Sequence, residues 1–251
     1  MEKENIKLTE HFGASLAQLL SDKICQVKKD FPANKFIEIV QQSYLQKTLT
    51  QRVELIADAL HVCLPNDYKK AVKILINIMG DENPKETGMF SDFYWLMPVG
   101  KFIEKYGLEH FETSMKAIEE HTKRNTGEYA IRPYIRKYPE ETIRQMKIWA
   151  KSENFHLRRL ASEGLRPKLP WASKLELFID KPKPVFEILN ILKTEHIKFV
   201  MKSVANNLAD YIKVNPEAAL ALIKDWRNSK NKNTQWIIKH ATRKLKQDAC
   251  R

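Results

Sequence analysis

Glycine is scarce in this chain, with seven in 251 residues, well under the roughly 7% of an average protein. Turn-rich β architectures lean on glycine, so its scarcity, beside abundant Leu, Ile, Lys and Glu, points to helices. Cysteine is scarcer still. Cys25, Cys63 and Cys250 are scattered and form no CxxC pair, which argues against a zinc ribbon or a disulfide framework and suits a reducing, cytoplasmic setting. No apolar run approaches the roughly 20 residues of a membrane span. The opening MEKENIKLTEHFG is charged from its second residue, unlike a secretory signal, and membrane association is not expected. The GxxxxGK phosphate loop and the GxSxG elbow are both missing, which removes two large enzyme classes. His110 and Glu112 spell H-x-E, a fragment of the zinc-deaminase signature, but its P-C-x-x-C partner is absent. The other histidines show no ligand spacing, so neither a metal nor a cofactor is expected.

What the chain does have is positive charge, unevenly placed. The formal net charge is +12. Residues 1–120 carry 15 Lys+Arg against 18 Asp+Glu, whereas residues 121–251 carry 28 against 13. The basic character therefore belongs to the second half. A polyanion is the simplest partner for such a surface, and nucleic acid is the commonest polyanion in cells. A basic face that is merely solvated is the bland alternative.

Apolar residues recur with helical spacing from the start. HFGASLAQLLSDKI puts Phe12, Leu16, Leu19 and Leu20 on one face, and QRVELIADALHVCL does the same with Val53, Ile56, Leu60 and Leu64. No stretch alternates long enough to argue a strand, so the chain reads as all-α with a dozen or so helices. A repeat emerges in the second half. Pro139 and Trp149 of one unit map to Pro216 and Trp226 of another, each 77 residues on, with a shorter unit between. Each unit has a proline-started helix, a polar turn and a second helix around a small residue: Ala161, Ala205 and Ala241, at steps of 44 and 36 residues. That period matches HEAT-like helix pairs, and the proline suits a first helical turn. The expected fold is a curved solenoid of antiparallel helix pairs with a basic concave face, lined by the second helices. One helical-repeat domain is expected over residues 1–251, with an N-terminal helical part to about 120 and a basic repeat part from about 121. The second helices carry Arg158, Arg159, Arg166, Lys202, Lys239, Arg243, Lys244 and Lys246, which fit a duplex backbone.

Three acids sit in basic, aromatic company. Glu128 lies in GEYAIRPYIRKYP beside Tyr129, Glu163 in RRLASEGLRPKLPW, and Asp210 in SVANNLADYIK. Each has a plain structural reading: an i,i+4 salt bridge from Arg159 to Glu163, a helix-dipole role for Glu128, a pair between Asp210 and Lys213. Trp149 and Trp226 recur and read as core. Trp171 does not recur; it follows Pro170 in a loop beside Arg166 and Lys168 and is the better recognition candidate. The run FSDFYWLMP from Phe90 to Pro98 fits either packing or a ligand platform.

EYAIRPYI, RRLASEGLRPKLPWA, SVANNLADYIKVNPE and WIIKHATRKL together resemble the AlkC family of DNA alkylation-repair glycosylases, a branch of the HEAT-like-repeat glycosylases that also includes AlkD. The likeness runs through most of the chain, including QRVELIADALHVCLPNDYKKAVKIL and FYWLMPVGKFIEKYGLEHFETSMKAIEEHTKR. It implies stacked helix pairs around DNA and hydrolysis of the N-glycosidic bond of cationic bases such as 3-methyladenine and 3-methylcytosine. By motif match the family's active-site acids fall on Glu128, Glu163 and Asp210, and its aromatic on Trp171. Some members carry a further C-terminal immunoglobulin-like domain, which is not expected here.

The resulting expectations are specific. Glu163 leads catalysis with Asp210 and Glu128, through carboxylate stabilisation of an oxocarbenium-like transition state. Trp171 and Tyr129 contact the lesion or its sugar. Arg158, Arg159, Arg166, Lys168, Lys202, Lys239 and Arg243 hold DNA phosphates. The partner is double-stranded DNA with alkylated bases, bound by a monomer. The alternative is a non-catalytic helical-repeat protein that binds nucleic acid or serves as a protein-interaction scaffold.

Overall fold

The computed structural model describes residues 8–245; Cys250 and Lys246 lie outside them. Among the described residues there are thirteen α-helices and no strand, as the glycine-poor, helical-period sequence predicts. None of these helices is long and apolar enough to cross a membrane. The chain divides into two compact units, one up to Pro84 plus Gly88–Thr126, the other Lys85–Thr87 plus Gly127 onward.

The first unit holds α1 (Ala14–Val27), α2 (Ala33–Gln41), α3 (Leu49–Cys63), α4 (Tyr68–Asn77), α5 (Met97–Tyr106) and α6 (Phe111–Thr122). Its core is built from the predicted stripes, Phe12, Leu16, Leu20, Val53, Ile56, Leu60 and Leu64, all buried, and Phe36 and Val40 of α2 join them. Leu19 flanks this core, half-buried. Helix starts follow local chemistry. Thr48 and Gln51 form a capping box on α3, and the Asp67 side chain accepts from Lys70 N on α4. The aromatic run packs rather than forming an open platform. Trp95 and Leu96 are buried, Tyr94 packs on Phe12, and Lys23 lies 4.6 Å over the Trp95 ring. His110 precedes α6 and stacks on Tyr68.

The second unit holds α7 (Arg132–Lys137), α8 (Pro139–Trp149), α9 (Phe155–Glu163), α10 (Lys183–Leu192), α11 (Lys198–Val214), α12 (Pro216–Arg227) and α13 (Lys232–Ala241). The repeat is visible atom by atom. Pro139 and Pro216 each open a helix at N1, where a missing N–H costs no hydrogen bond. Trp149 and Trp226 close those helices, buried, with Trp226 Nε1 donating to Asn190 at 2.7 Å. Ser152 and Ser229 then accept from the N–H of Asn154 and Asn231, and those asparagines cap α9 and α13. Second helices lie side by side, α9 against α11 and α11 against α13. Ala161, Ala205 and Ala241 are buried in them, where small side chains permit close backbone approach.

Candidate active site

The site grows from this layer of second helices. Along α11 one i, i+4, i+7 stripe is polar although buried: Ser203, Asn207 and Asp210, beside an apolar face of Val200, Val204 and Leu208. On α9, Glu163 occupies the last helical position and faces the same layer, 5% exposed. Glu128, also 5% exposed, lies in the turn that precedes α7.

Two half-buried arginines join these acids into a chain. Arg159 Nη1 donates to Glu128 Oε2 at 2.6 Å, and its Nη2 lies 3.6 Å from Glu163 Oε1. Arg166 Nη1 donates to Glu163 Oε1 at 2.7 Å and its Nε to Asp210 Oδ2 at 2.9 Å. Ser203 Oγ donates to Glu163 Oε2 at 2.6 Å. The order is therefore Glu128, Arg159, Glu163, Arg166, Asp210: three carboxylates to two guanidiniums. Burial pushes the Glu163 carboxyl up, but Arg159, Arg166 and the Ser203 hydroxyl outweigh it and hold it below the usual range. Burial would lower Arg166, yet Glu163 and Asp210 raise it above its ordinary value. Asp210 and Arg166 also line a pocket of about 250 Å³, with Asn206, Lys213, Arg243 and Lys244.

Trp171 stands beyond the end of α9, 74% exposed, at φ +60°. A bulky residue in the left-handed region costs about 1–2 kcal/mol, which the rest of the loop has to offset. Three side chains from the Glu128 segment hold its loop. Tyr129 Oη donates to Pro170 O at 3.1 Å, Arg132 donates to the carbonyls of Gly164, Arg166 and Ser173, and Arg136 Nη2 donates to Ser173 Oγ at 2.6 Å. The Tyr129 phenol is raised by burial first, then by the negative charge of Glu128 and Glu163, so it is electrostatically part of the cluster.

The structure thus brings together Glu128, Glu163, Asp210 and Tyr129, and ties the Trp171 loop to them. The cations expected to grip phosphate divide in two. Arg159 and Arg166 are inside the acid chain, and Arg158 forks Glu195, the acid whose Oε1 also accepts the N–H groups of His196 and Ile197. Lys168, Lys202, Lys239 and Arg243 are exposed. Of these, Arg243 lies at the pocket rim, 3.4 Å from Asn206 Oδ1. His240 is held below its ordinary value by burial, then by the charges of Arg243, Lys198 and Lys202, which share one face. One plain reading gives way and another holds, since the i,i+4 bridge from Arg159 to Glu163 is present at 3.6 Å. Asp210 pairs with Arg166 rather than Lys213, and Arg159 reaches Glu128 more closely than Glu163. Sequence reasoning missed Ser203 and the anchoring role of Arg132. The polar 203/207/210 spacing was the available signal for Ser203; Arg132 had none.

A stack of helix pairs whose second helices bury a chain of acids and arginines defines a helical-repeat protein with an enzyme-like site. Residues 125–245 match the family model described as DNA alkylation repair enzyme, a match to just under half of the chain. The whole fold matches a solved structure, Pseudomonas fluorescens alkylpurine DNA glycosylase AlkC bound to DNA containing an abasic site analog. The TM-score is 0.85, the identity 32%, and the match covers 95% of this chain and 64% of that one. The chain is also 35% identical over 239 residues to the uncharacterized protein YhaZ of Bacillus subtilis (strain 168), covering 95% of this chain and 64% of that protein. The chain thus spans somewhat less than two thirds of both relatives.

Proposed function

We propose that the protein is a DNA N-glycosylase that hydrolyses the bond between deoxyribose and a cationic N-alkylated base, 3-methyladenine and 3-methylcytosine being the intended substrates. The observation that carries this reading is the Glu128–Arg159–Glu163–Arg166–Asp210 chain, which draws three largely buried carboxylates into one cluster. Burying charges costs several kcal/mol per ion unless they are paired, so packing alone gives no reason to gather them here. The repeat does not require a carboxylate at Glu163, since the matching positions in the other two units are Asn207 and Arg243. The resemblance to an alkylpurine DNA glycosylase adds its weight.

The chemistry suits that charge. A cationic base is already a good leaving group, and positive charge passes to C1′ and the ring oxygen as its bond breaks. A carboxylate 4 Å from that cation is worth about 4 kcal/mol at an effective dielectric constant near 20, or roughly a thousandfold in rate. Glu163 supplies the central charge, kept ionised by Arg159, Arg166 and Ser203. Asp210, on the pocket wall, orients the attacking water. Glu128 extends the negative field, and Trp171 offers the cationic base an aromatic face, worth roughly 0.5–2 kcal/mol. Lys168, Lys202, Lys239 and Arg243 take the phosphates of duplex DNA without reading sequence.

Methylated duplex incubated with the protein is expected to lose bases and gain abasic sites, and Glu163→Gln to abolish both while the helical circular dichroism is kept. A Glu163→Gln variant with full activity would overturn the assignment. Salt-sensitive DNA affinity with no base release would favour a non-catalytic DNA-binding protein.

A further inference from the structure

Arg132 is 2% exposed, yet its guanidinium hydrogen-bonds only to backbone carbonyls: Gly164 at 3.2 Å, Arg166 at 3.0 Å and Ser173 at 2.7 Å. A charge this buried is normally matched by a carboxylate. Burial and the neighbouring Arg136 push its pKa down to about 10, so it keeps its proton at neutral pH. Part of the arrangement has a local explanation, because a cation on the carbonyls just past α9 offsets the helix dipole. The bond to Ser173 does not. Ser173 lies beyond Trp171, well past the helix end. One planar group therefore clasps the chain before and after Trp171, with donors fixed in a fork that lysine lacks. Arg136 adds a second hold on Ser173 and Tyr129 a hold on Pro170, while Leu165, Leu169 and Leu175 bury beneath the loop. All this binding surrounds one exposed residue with a left-handed backbone.

We propose that Arg132 is a positioning residue for base release: without touching DNA, it closes the loop from Arg166 to Ser173 and so sets the conformation in which Trp171 meets the lesion. This rests on the reading of Trp171 as the lesion-facing aromatic. It separates Arg132 from the acid chain, where a change alters charge, and from the surface lysines, where a change alters DNA affinity.

Arg132→Lys keeps the charge but not the fork, and Arg136→Gln loosens the same loop from its surface, in case the first variant folds poorly. Each is expected to slow single-turnover base release from methylated duplex, about tenfold or more for Arg132→Lys, with affinity for undamaged duplex unchanged. In a Trp171→Ala background, Arg132→Lys should add no more than about twofold, since both changes remove one function. A direct readout does not depend on activity. The Trp171 emission, taken as the difference between each protein and its Trp171→Phe counterpart, should change wavelength and become more open to acrylamide quenching in Arg132→Lys. Unchanged Trp171 emission, or rate losses that multiply in the double variant, would overturn the proposal. If the wild-type protein releases no base, the glycosylase reading fails, and the emission experiment still decides whether Arg132 holds Trp171.

Discussion

Arg166 offers the sharpest test of the charge chain, because its sequence reading and its structure predict opposite behaviour. As a phosphate-gripping residue it should be dispensable to the fold. In the structure it bridges Glu163 at 2.7 Å and Asp210 at 2.9 Å, with its side chain 11% exposed. Arg166→Met keeps the length and removes the charge. Glu163 then retains Arg159 at 3.6 Å and the Ser203 hydroxyl, while Asp210 loses the cation it pairs with. Breaking a buried pair from one side costs about 3–5 kcal/mol, and the low end applies at the rim of a pocket. About 3 kcal/mol corresponds to a fall in Tm of roughly 6–12 °C for a chain of this size. The pH dependence fixes the cause. In the wild type the Glu163 carboxyl is held below its ordinary 4.5. Its contribution to stability is complete above that value and lost as pH falls through the folded one. Removing Arg166 takes away one of the cations that hold the Glu163 carboxyl down, so the folded variant takes up a proton there more readily and its deficit against wild type shrinks on acidification. Thermal unfolding by circular dichroism from pH 7 down to pH 4 follows both effects. Equal melting at pH 7, together with a salt dependence of DNA binding flattened by about one phosphate contact, would refute the bridging role.

Two further outcomes follow from single side chains. Ser203→Ala removes the 2.6 Å bond to Glu163 Oε2, a charge-assisted contact worth about 1.5–3 kcal/mol; the acid limb of the pH–rate profile should move to higher pH, and an unmoved limb would show that Glu163 does not set it. Trp171→Gly relieves the φ +60° backbone, so thermal stability should hold or rise by up to about 1 kcal/mol while base release falls; a clear loss of stability would make Trp171 a packing residue.

The repeat was legible because its signals are local. Pro139 and Pro216 start helices, Asn154 and Asn231 cap them, and Trp149 and Trp226 fill equivalent core positions, each by rules that act within a few residues. The acids stood out for their basic, aromatic company, and Glu163 also because the matching positions in the other units are Asn207 and Arg243. Their partners were not legible. Arg159 has a carboxylate four residues on, and spacing assigns it there, but the tertiary fold delivers Glu128, 31 residues away, at 2.6 Å. Arg166 likewise reaches Asp210 across 44 residues. Serine has no chemical signature of its own, so Ser203 emerges only when α9 and α11 are seen side by side.

The chain of charges also bears on how the second unit comes apart. Stacked helix pairs interact with nearest neighbours and are prone to fray from one end, a pair at a time. Here Glu128 precedes α7, Arg159 and Glu163 lie on α9, Arg166 follows it, and Asp210 lies on α11. Peeling any one of these away strands a charge of its neighbour in the protein interior, so intermediate states are penalised from both sides. The segment from Glu128 to Asp210 is therefore expected to open as one cooperative block, its amide protons exchanging with solvent together rather than in repeat order.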